Sequence, residues 1–377
     1  MKANYITRIE KVAGLPRMRK ERIDGVSKLF RFRANDYYLS LIDFADPRDP
    51  IARIVIPDSE ELKGWGDIDA SNEDLYTRVA GLQHKYPSTA VLLINDVCGG
   101  FCRFCFRKRL FLDENEEVTR DLTEAYEYIR RRPSITNVVL SGGDPLMLST
   151  ARLEEVIGTL REIDHVKIIR IGTKIPAFNP FRITEDPALL DLISAHSTGE
   201  KRIYLMVHFN HPRELTEEAV EALGLLGKAG AVMANQTPLI RGVNDDPDTL
   251  RDLLRRLSFI GVSPYYVFQC RPVHGNFPYV LPVELSFEIF REAKRFVSGL
   301  AKRAKLIMSH ATGKIEIIGK SDGYTYFKYH QAVDQRDASR ILVFRSNPEA
   351  YWLEDYGPES RPTFEHEPLY RKVAMTS

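Results

Sequence analysis

The chain has little cysteine, little tryptophan and almost no excess of charge. Four of its 377 residues are cysteine and two are tryptophan. Four cysteines are too few for a disulfide framework in a chain of this length, which excludes the small secreted scaffolds that depend on one. Lysine and arginine (53) nearly cancel aspartate and glutamate (52), leaving a net charge of +1. Such a chain has no global field to draw it to nucleic acid or to an anionic membrane, so neither is expected as a partner. No apolar run approaches the roughly 20 residues that cross a bilayer. The first residues, MKANYITRIEKV, lack the apolar core of a signal peptide. A cytoplasmic location is the expectation. No internal repeat or low-complexity segment is present.

What the chain does have is a rhythm. Residues 1–85 are charged, with scattered prolines and no strong period, and read as a mixed, helical N-terminal region. From about residue 90, short β-branched runs alternate with amphipathic helical patterns. Strands are predicted at Ala90–Asp96, Asn137–Ser141, Lys167–Ile171, Arg202–Phe209, Ala231–Thr237 and Pro264–Cys270. Helical patterns at Asp121–Arg132, Ala151–Ile163, Thr216–Gly227 and Pro247–Phe259 lie between them. Thr216 can cap a first turn carrying Glu217 and Glu218, and Asp246 precedes Pro247 at a first helical position. Strand–helix alternation demands parallel strands joined by right-handed crossovers. Six units predict an α/β fold, a partial (β/α)6 TIM-type barrel over residues 86–310. The spacing alone also admits an open doubly wound sheet. After a helical stretch at Phe287–Leu300 and a last strand at Ala304–Ser309, the character changes. Gly313–Ile318, Tyr324–Tyr329 and Ile341–Phe344 read as hairpins of a small β-rich C-terminal segment, 311–377.

Three of the four cysteines, Cys98, Cys102 and Cys105, fall in CGGFCRFCFRKR, directly after the first predicted barrel strand. Three thiolates leave one iron of a 4Fe–4S cluster free to bind a small molecule, whereas four cysteines normally make an electron carrier. Phe101, Phe104 and Phe106 could shield such a cluster. The competing readings are a structural zinc site, as in a zinc-stabilised binding protein, or three unligated thiols. Zinc usually takes a second ligand pair, and Cys270 stands alone downstream. A second signal is LSGGDPL at the end of the second strand. Gly142 and Gly143 allow close backbone approach, and Asp144 adds an acceptor. The third is Lys314 in SHATGK; a lysine buried beside a barrel mouth can become a nucleophile toward an aldehyde cofactor. His208 and His211 in HFNH end the fourth strand, with no evident partner for a metal.

Taken together these motifs resemble the lysine 2,3-aminomutase family of radical S-adenosylmethionine enzymes. The likeness runs from about Leu82 to Ile318 and rests on HKYPSTAVLLINDVCGGFCRFCFRKR, LSGGDPL, RIGTKIP, HFNHP, NQTPLIRGVNDD, PYYVFQC and ATGKIEI. The resemblance implies a 4Fe–4S cluster on Cys98, Cys102 and Cys105. It places S-adenosylmethionine among Gly142, Gly143, Asp144, His208 and Gln236. It makes Lys314 the lysine that holds pyridoxal 5′-phosphate, beside Lys85 and Tyr86, where the family has an Arg-Tyr pair. Arg107 matches the arginine that pairs with the substrate carboxylate. The implied reaction moves the α-amino group of an amino acid to C3 through a 5′-deoxyadenosyl radical. A reductant such as flavodoxin or ferredoxin and assembly into a homo-oligomer are also implied.

The chain departs from the lysine-specific pattern at two places. There, two aspartates grip the far amino group of lysine. One position is Arg271 here, and the turn before Lys314, Ser309-His310-Ala311-Thr312-Gly313, carries no acid. A cation in place of an anion reverses the charge preference of a pocket. The expectation is an amino acid other than free lysine, acidic or neutral, such as glutamate. The alternatives are that Arg271 faces a phosphate or a carboxylate of S-adenosylmethionine, that lysine is the substrate after all, or that the chain does other radical chemistry, including on a protein lysine.

Overall fold

The computed structural model describes residues 3–112 and 116–360; residues 361–377 of the expected C-terminal segment lie outside them. Twelve strands form one sheet whose spatial order is the order along the chain. They are β1 (Thr77–Val79), β2 (Leu82–Tyr86), β3 (Thr89–Asn95), β4 (Asn137–Gly142), β5 (Ile168–Thr173), β6 (Arg202–Val207), β7 (Val232–Leu239), β8 (Ser263–Gln269), β9 (Lys305–His310), β10 (Gly313–Ser321), β11 (Tyr324–Ala332) and β12 (Ile341–Arg345). β3 to β9 run parallel, and antiparallel strands flank them on both sides. A doubly wound sheet would reverse its order partway. This one never does, so it is a partial barrel, and it is not closed.

The principal helices are α1 (Arg17–Leu29), α2 (Thr123–Arg130), α3 (Thr150–Arg161), α4 (Pro187–His196), α5 (Glu217–Lys228), α6 (Pro247–Phe259) and α7 (Val283–Arg295). Along β4 and β5 buried and half-buried residues alternate, because helices cover one face of the sheet while the other lines the site. Ile169, Ile203 and Val138 pack against Val156, Ile193 and Leu223 in the larger core. Helix starts follow the sequence. Thr216 accepts from the Ala219 N–H at 3.1 Å, and Asp246 from that of Thr249 at 2.8 Å. Arg130 to Arg132 end α2 as a largely solvated cationic turn.

Two features extend the expectation. The region before residue 86 contributes β1 and β2 to the sheet, and the C-terminal hairpins continue the same sheet through β9. Among the described residues, no helix is long and apolar enough to cross a membrane.

Candidate active site

The cysteine loop leaves the end of β3, Asp144 follows β4, His208 follows β6 and Arg271 lies just past β8. Gln236 lies within β7 and Lys314 within β10. The strand order thus brings residues far apart in sequence to one rim, where functional groups of such folds collect.

All three loop cysteines are free and half-buried. Burial pushes their thiols up, that of Cys102 to about 12; backbone hydrogen bonds from Asp144 and Arg107 ease Cys98 and Cys105, and Lys174 eases Cys102. Among the described residues, no three His, Cys, Asp or Glu side chains converge to hold a single metal ion. A cluster asks for something different, because each thiolate takes its own iron and the sulfurs stand further apart. Three free, half-buried thiols on one loop, with peptide N–H groups directed at two of them, fit that donor set. His211 instead accepts from the Arg213 N–H at 3.1 Å and caps a short turn, so HFNH makes no metal pair.

The loop is held from behind. Arg33 donates to the Cys98 carbonyl at 2.7 Å, and the Phe101 N–H to the Arg33 carbonyl at 2.9 Å. Arg103, 2% exposed, donates to Glu61 at 3.0 and 2.7 Å and to the Arg31 carbonyl at 3.0 Å. Lys108 lies 3.5 Å from the same fully buried carboxylate. In front, a Cβ on Gly143 would sit 2.6 Å from the Val97 carbonyl oxygen, so only glycine lets β4 end this close to the loop.

Asp144 is 5% exposed and spends its oxygens on the Thr173 hydroxyl at 2.8 Å, the Lys174 N–H at 2.7 Å and the Leu146 N–H at 3.0 Å. Burial raises it to about 6. It therefore fixes the turn. His208 donates from Nδ1–H to the Gln236 carbonyl, 3.1 Å away, and burial, then Lys174, lower it to about 4, leaving a neutral ring at neutral pH. Lys174 was not singled out from the sequence. Its ammonium is buried on the His208 carbonyl (2.8 Å), Asn210 (2.7 Å) and Glu214 (2.5 Å).

Lys314 pairs with Ser309 across β9 and β10, at a shift in register with β11. Such bulges re-aim side chains. Burial, then Arg170, Lys85 and Arg271, lower its ammonium to about 7. Its Nζ stands 4.8 Å from the centre of the Tyr86 ring. Lys85 donates to the His310 carbonyl at 2.8 Å, and burial and Arg271 bring it to about 8. Lys314 is thus a neighbour of Lys85 and Tyr86, which stand more than 200 residues before it in sequence.

Arg107 is not free. Its Nε and Nη2 donate in parallel to Glu73 at 3.1 and 3.0 Å, and Nη1 donates to Ser141 at 2.8 Å. Arg109 donates to the same carboxylate at 2.6 Å. Burial opposes the charge on Glu73, but Arg107, Arg109 and Arg271 outweigh it and hold the group far below the usual carboxylate range. Arg271 donates to Ser71 and lies 3.9 Å from the centre of the Phe106 ring, from which Arg107 stands 4.6 Å. Burial lowers Arg271 to about 10. In sequence no acid stands beside Arg271 or in the 309–313 turn; the fold brings Glu73 to Arg271 and Glu354 to His310 of the turn. Asn72, in the left-handed region at φ 48°, turns the chain between Ser71 and Glu73.

A model of the radical SAM superfamily matches residues 92–254. A protein of Aquifex aeolicus (strain VF5) named "Putative L-lysine 2,3-aminomutase" is 52% identical over 94% of this chain and 95% of its own. The L-lysine 2,3-aminomutase of Clostridium subterminale is 36% identical over 92% of this chain and 83% of its own. The glutamate 2,3-aminomutase of Clostridioides difficile (strain 630) is 34% identical over 79% of this chain and 71% of its own. With a three-cysteine loop on the rim of a partial barrel and kinship over almost its whole length, the chain belongs to the lysine 2,3-aminomutase family of radical S-adenosylmethionine enzymes.

Proposed function

We propose that this enzyme is a pyridoxal-phosphate-dependent 2,3-aminomutase acting on an acidic or neutral amino acid, glutamate foremost, and not on free lysine. One observation carries the reading. Six basic groups, Lys85, Arg107, Arg109, Arg170, Arg271 and Lys314, gather around three carboxylates, Asp69, Glu73 and Glu117. A partly desolvated site of that balance draws phosphate and carboxylate and opposes a second ammonium.

Family membership implies a 4Fe–4S cluster and S-adenosylmethionine, whose chemistry together is to generate a 5′-deoxyadenosyl radical. Cys98, Cys102 and Cys105 would hold the cluster. Gly142, Gly143, Asp144, His208 and Gln236 shape the wall beside it, and neutral His208 can share a hydrogen bond there without adding charge. Pyridoxal phosphate, when bound, supplies the π-system through which nitrogen can migrate. Lys314 would hold it covalently, since an amine with a pKa of about 7 is substantially unprotonated at neutral pH. Lys85 and Tyr86 would flank it.

Arg107 would take the α-carboxylate. Its fork is filled by Glu73, so binding exchanges one carboxylate for another, and Arg109 can retain Glu73 when Arg107 lets go. Arg271, against the same Phe106 ring as Arg107, would meet the substrate's far end. A second reading, lysine itself, is favoured by Asp69, whose Oδ1 is buried without a hydrogen bond. Arg109 stands 3.5 Å from that oxygen, a cation that Asp69 shares with Glu73 and Glu117.

The test is anaerobic reconstitution with iron, sulfide and pyridoxal phosphate. The reading expects about one pyridoxal phosphate per chain, trapped on Lys314 by borohydride. It also expects S-adenosylmethionine cleavage that depends on the added amino acid. A Lys314→Ala chain that still traps the cofactor would overturn the assignment.

A further inference from the structure

The site takes an electron before any chemistry begins, and the chain offers one distinctive surface next to the cysteine loop. α1, Arg17–Leu29, carries five Lys or Arg residues against Glu21 and Asp24, a local charge of +3 in a chain whose total is +1. Arg17 pairs with Glu21 and Lys28 with Asp24. Arg19 and Arg22 have no ion pair among the described residues. On α1, Met18, Arg22, Gly25 and Leu29 follow one another at i, i+4, i+7 and i+11, a single stripe. Met18 is 83% and Leu29 45% exposed. Leu62, 48% exposed, stands beside Gly25, 3.7 Å from where a Cβ there would lie.

This face ends on the cysteine loop. Phe30 and Arg31, which follow α1, line the same small cleft as Cys102 and Cys105. The Arg31 carbonyl receives Arg103 at 3.0 Å, and Arg103 lies between those two cysteines. The C-terminal end of α1 thus reaches the loop through Phe30, Arg31 and Arg103.

We propose that the exposed face of α1, with Arg19, Arg22, Met18, Leu29 and Leu62, docks an acidic one-electron carrier protein that reduces the cluster. The carrier loses one electron and the cluster gains one; no bond or proton changes place. Exposed apolar side chains flanked by unpaired cations suit a transient redox encounter, in which charge steers association and a small apolar contact orients it. The inference rests on the cluster that family membership implies and is independent of the substrate.

The experiment uses the reconstituted holoenzyme and a reduced flavodoxin, an acidic carrier, with dithionite as a small reductant. Cluster reduction is followed by its visible absorbance, and oxidised flavodoxin binding by titration at low and high salt. Arg19→Glu/Arg22→Glu should slow reduction by flavodoxin at least tenfold and weaken binding, with reduction by dithionite unchanged. Arg22→Gln should fall between, and raised salt should weaken binding to the unaltered enzyme. Lys302→Glu, an exposed cation outside this face, should change nothing. The proposal fails if the double variant accepts electrons from flavodoxin at the original rate, or if Lys302→Glu slows it equally. It also fails if dithionite reduction is lost together with it, since the face would then support the cluster. A change of mass in sedimentation would assign the face to a second copy of the chain instead.

Discussion

Glu73 holds Arg107 by both parallel N–H groups, at 3.0 and 3.1 Å, from 34 residues away in sequence. The arginine expected to receive a substrate carboxylate is thus already paired with a carboxylate of its own chain. Charge-assisted, bidentate pairs of this kind are the strong ones.

A glutamine at position 73 keeps the shape and removes the charge, so it competes less well for Arg107. Glu73→Gln should bind a simple dicarboxylate probe, glutarate, about tenfold more tightly, near 1.4 kcal/mol. Calorimetric titration checks this. Weaker binding would mean that Glu73 positions Arg107 and does not compete with the ligand.

The lowered ammonium of Lys314 predicts a pH profile. Its uncharged form grows above a pKa of about 7, not above the ordinary lysine value of 10.5. Covalent capture of pyridoxal phosphate, trapped with borohydride across pH 5.5 to 9, should rise with a midpoint near 7. A midpoint above about 9 would show that burial and the neighbouring cations do not act as described.

Glu61 neutralises two buried cations behind the cysteine loop, Arg103 (2% exposed) and Lys108 (7%). Removing it by Glu61→Ala leaves both uncompensated, which in buried pairs costs about 3–5 kcal/mol. Urea unfolding should show that loss, and iron content should drop with it. Substitution of Glu60, an exposed neighbour whose ion pair with Lys63 is at the surface, should cost less than about 1 kcal/mol.

Two glycine-to-alanine changes should part company. At Gly143 a Cβ meets the Val97 carbonyl oxygen at 2.6 Å, so the cysteine loop must shift, and iron retention should fall. At Gly158, inside α3, nothing lies within 4 Å of the new Cβ, and alanine should stabilise by up to about 1 kcal/mol. Iron per chain and thermal unfolding read the two effects separately.

Much of the barrel was legible because the helix-covered face of each parallel strand is apolar, as Val138 and Leu140 are in Asn137–Gly142 and Ile203 and Leu205 in Arg202–Val207. β1 and β2 were not, because TRV and LQHKY carry charge and polarity of the kind found in any loop. The cysteine motif could be read because its spacing is local. Glu73 could not. Its segment, Asp69-Ala70-Ser71-Asn72-Glu73, looks like a solvated turn, and its meaning comes from a left-handed Asn72 and from arginines on a distant loop. The charge around Arg271 could not be read from its sequence neighbours for the same reason, because the fold brings Glu73 to it from far upstream. Lys174 escaped notice because nothing in RIGTKIP marks its ammonium as buried on Asn210 and Glu214.

The central claim is that the cationic balance around Lys314, Arg107 and Arg271 selects against a second ammonium. Its most direct test compares kcat/KM for glutamate and for lysine in the anaerobically reconstituted enzyme, scoring the β-amino product of each. The account predicts turnover of glutamate, or of a neutral amino acid, at least a hundredfold above that of lysine. Efficient conversion of lysine to β-lysine, with glutamate inert, would contradict it.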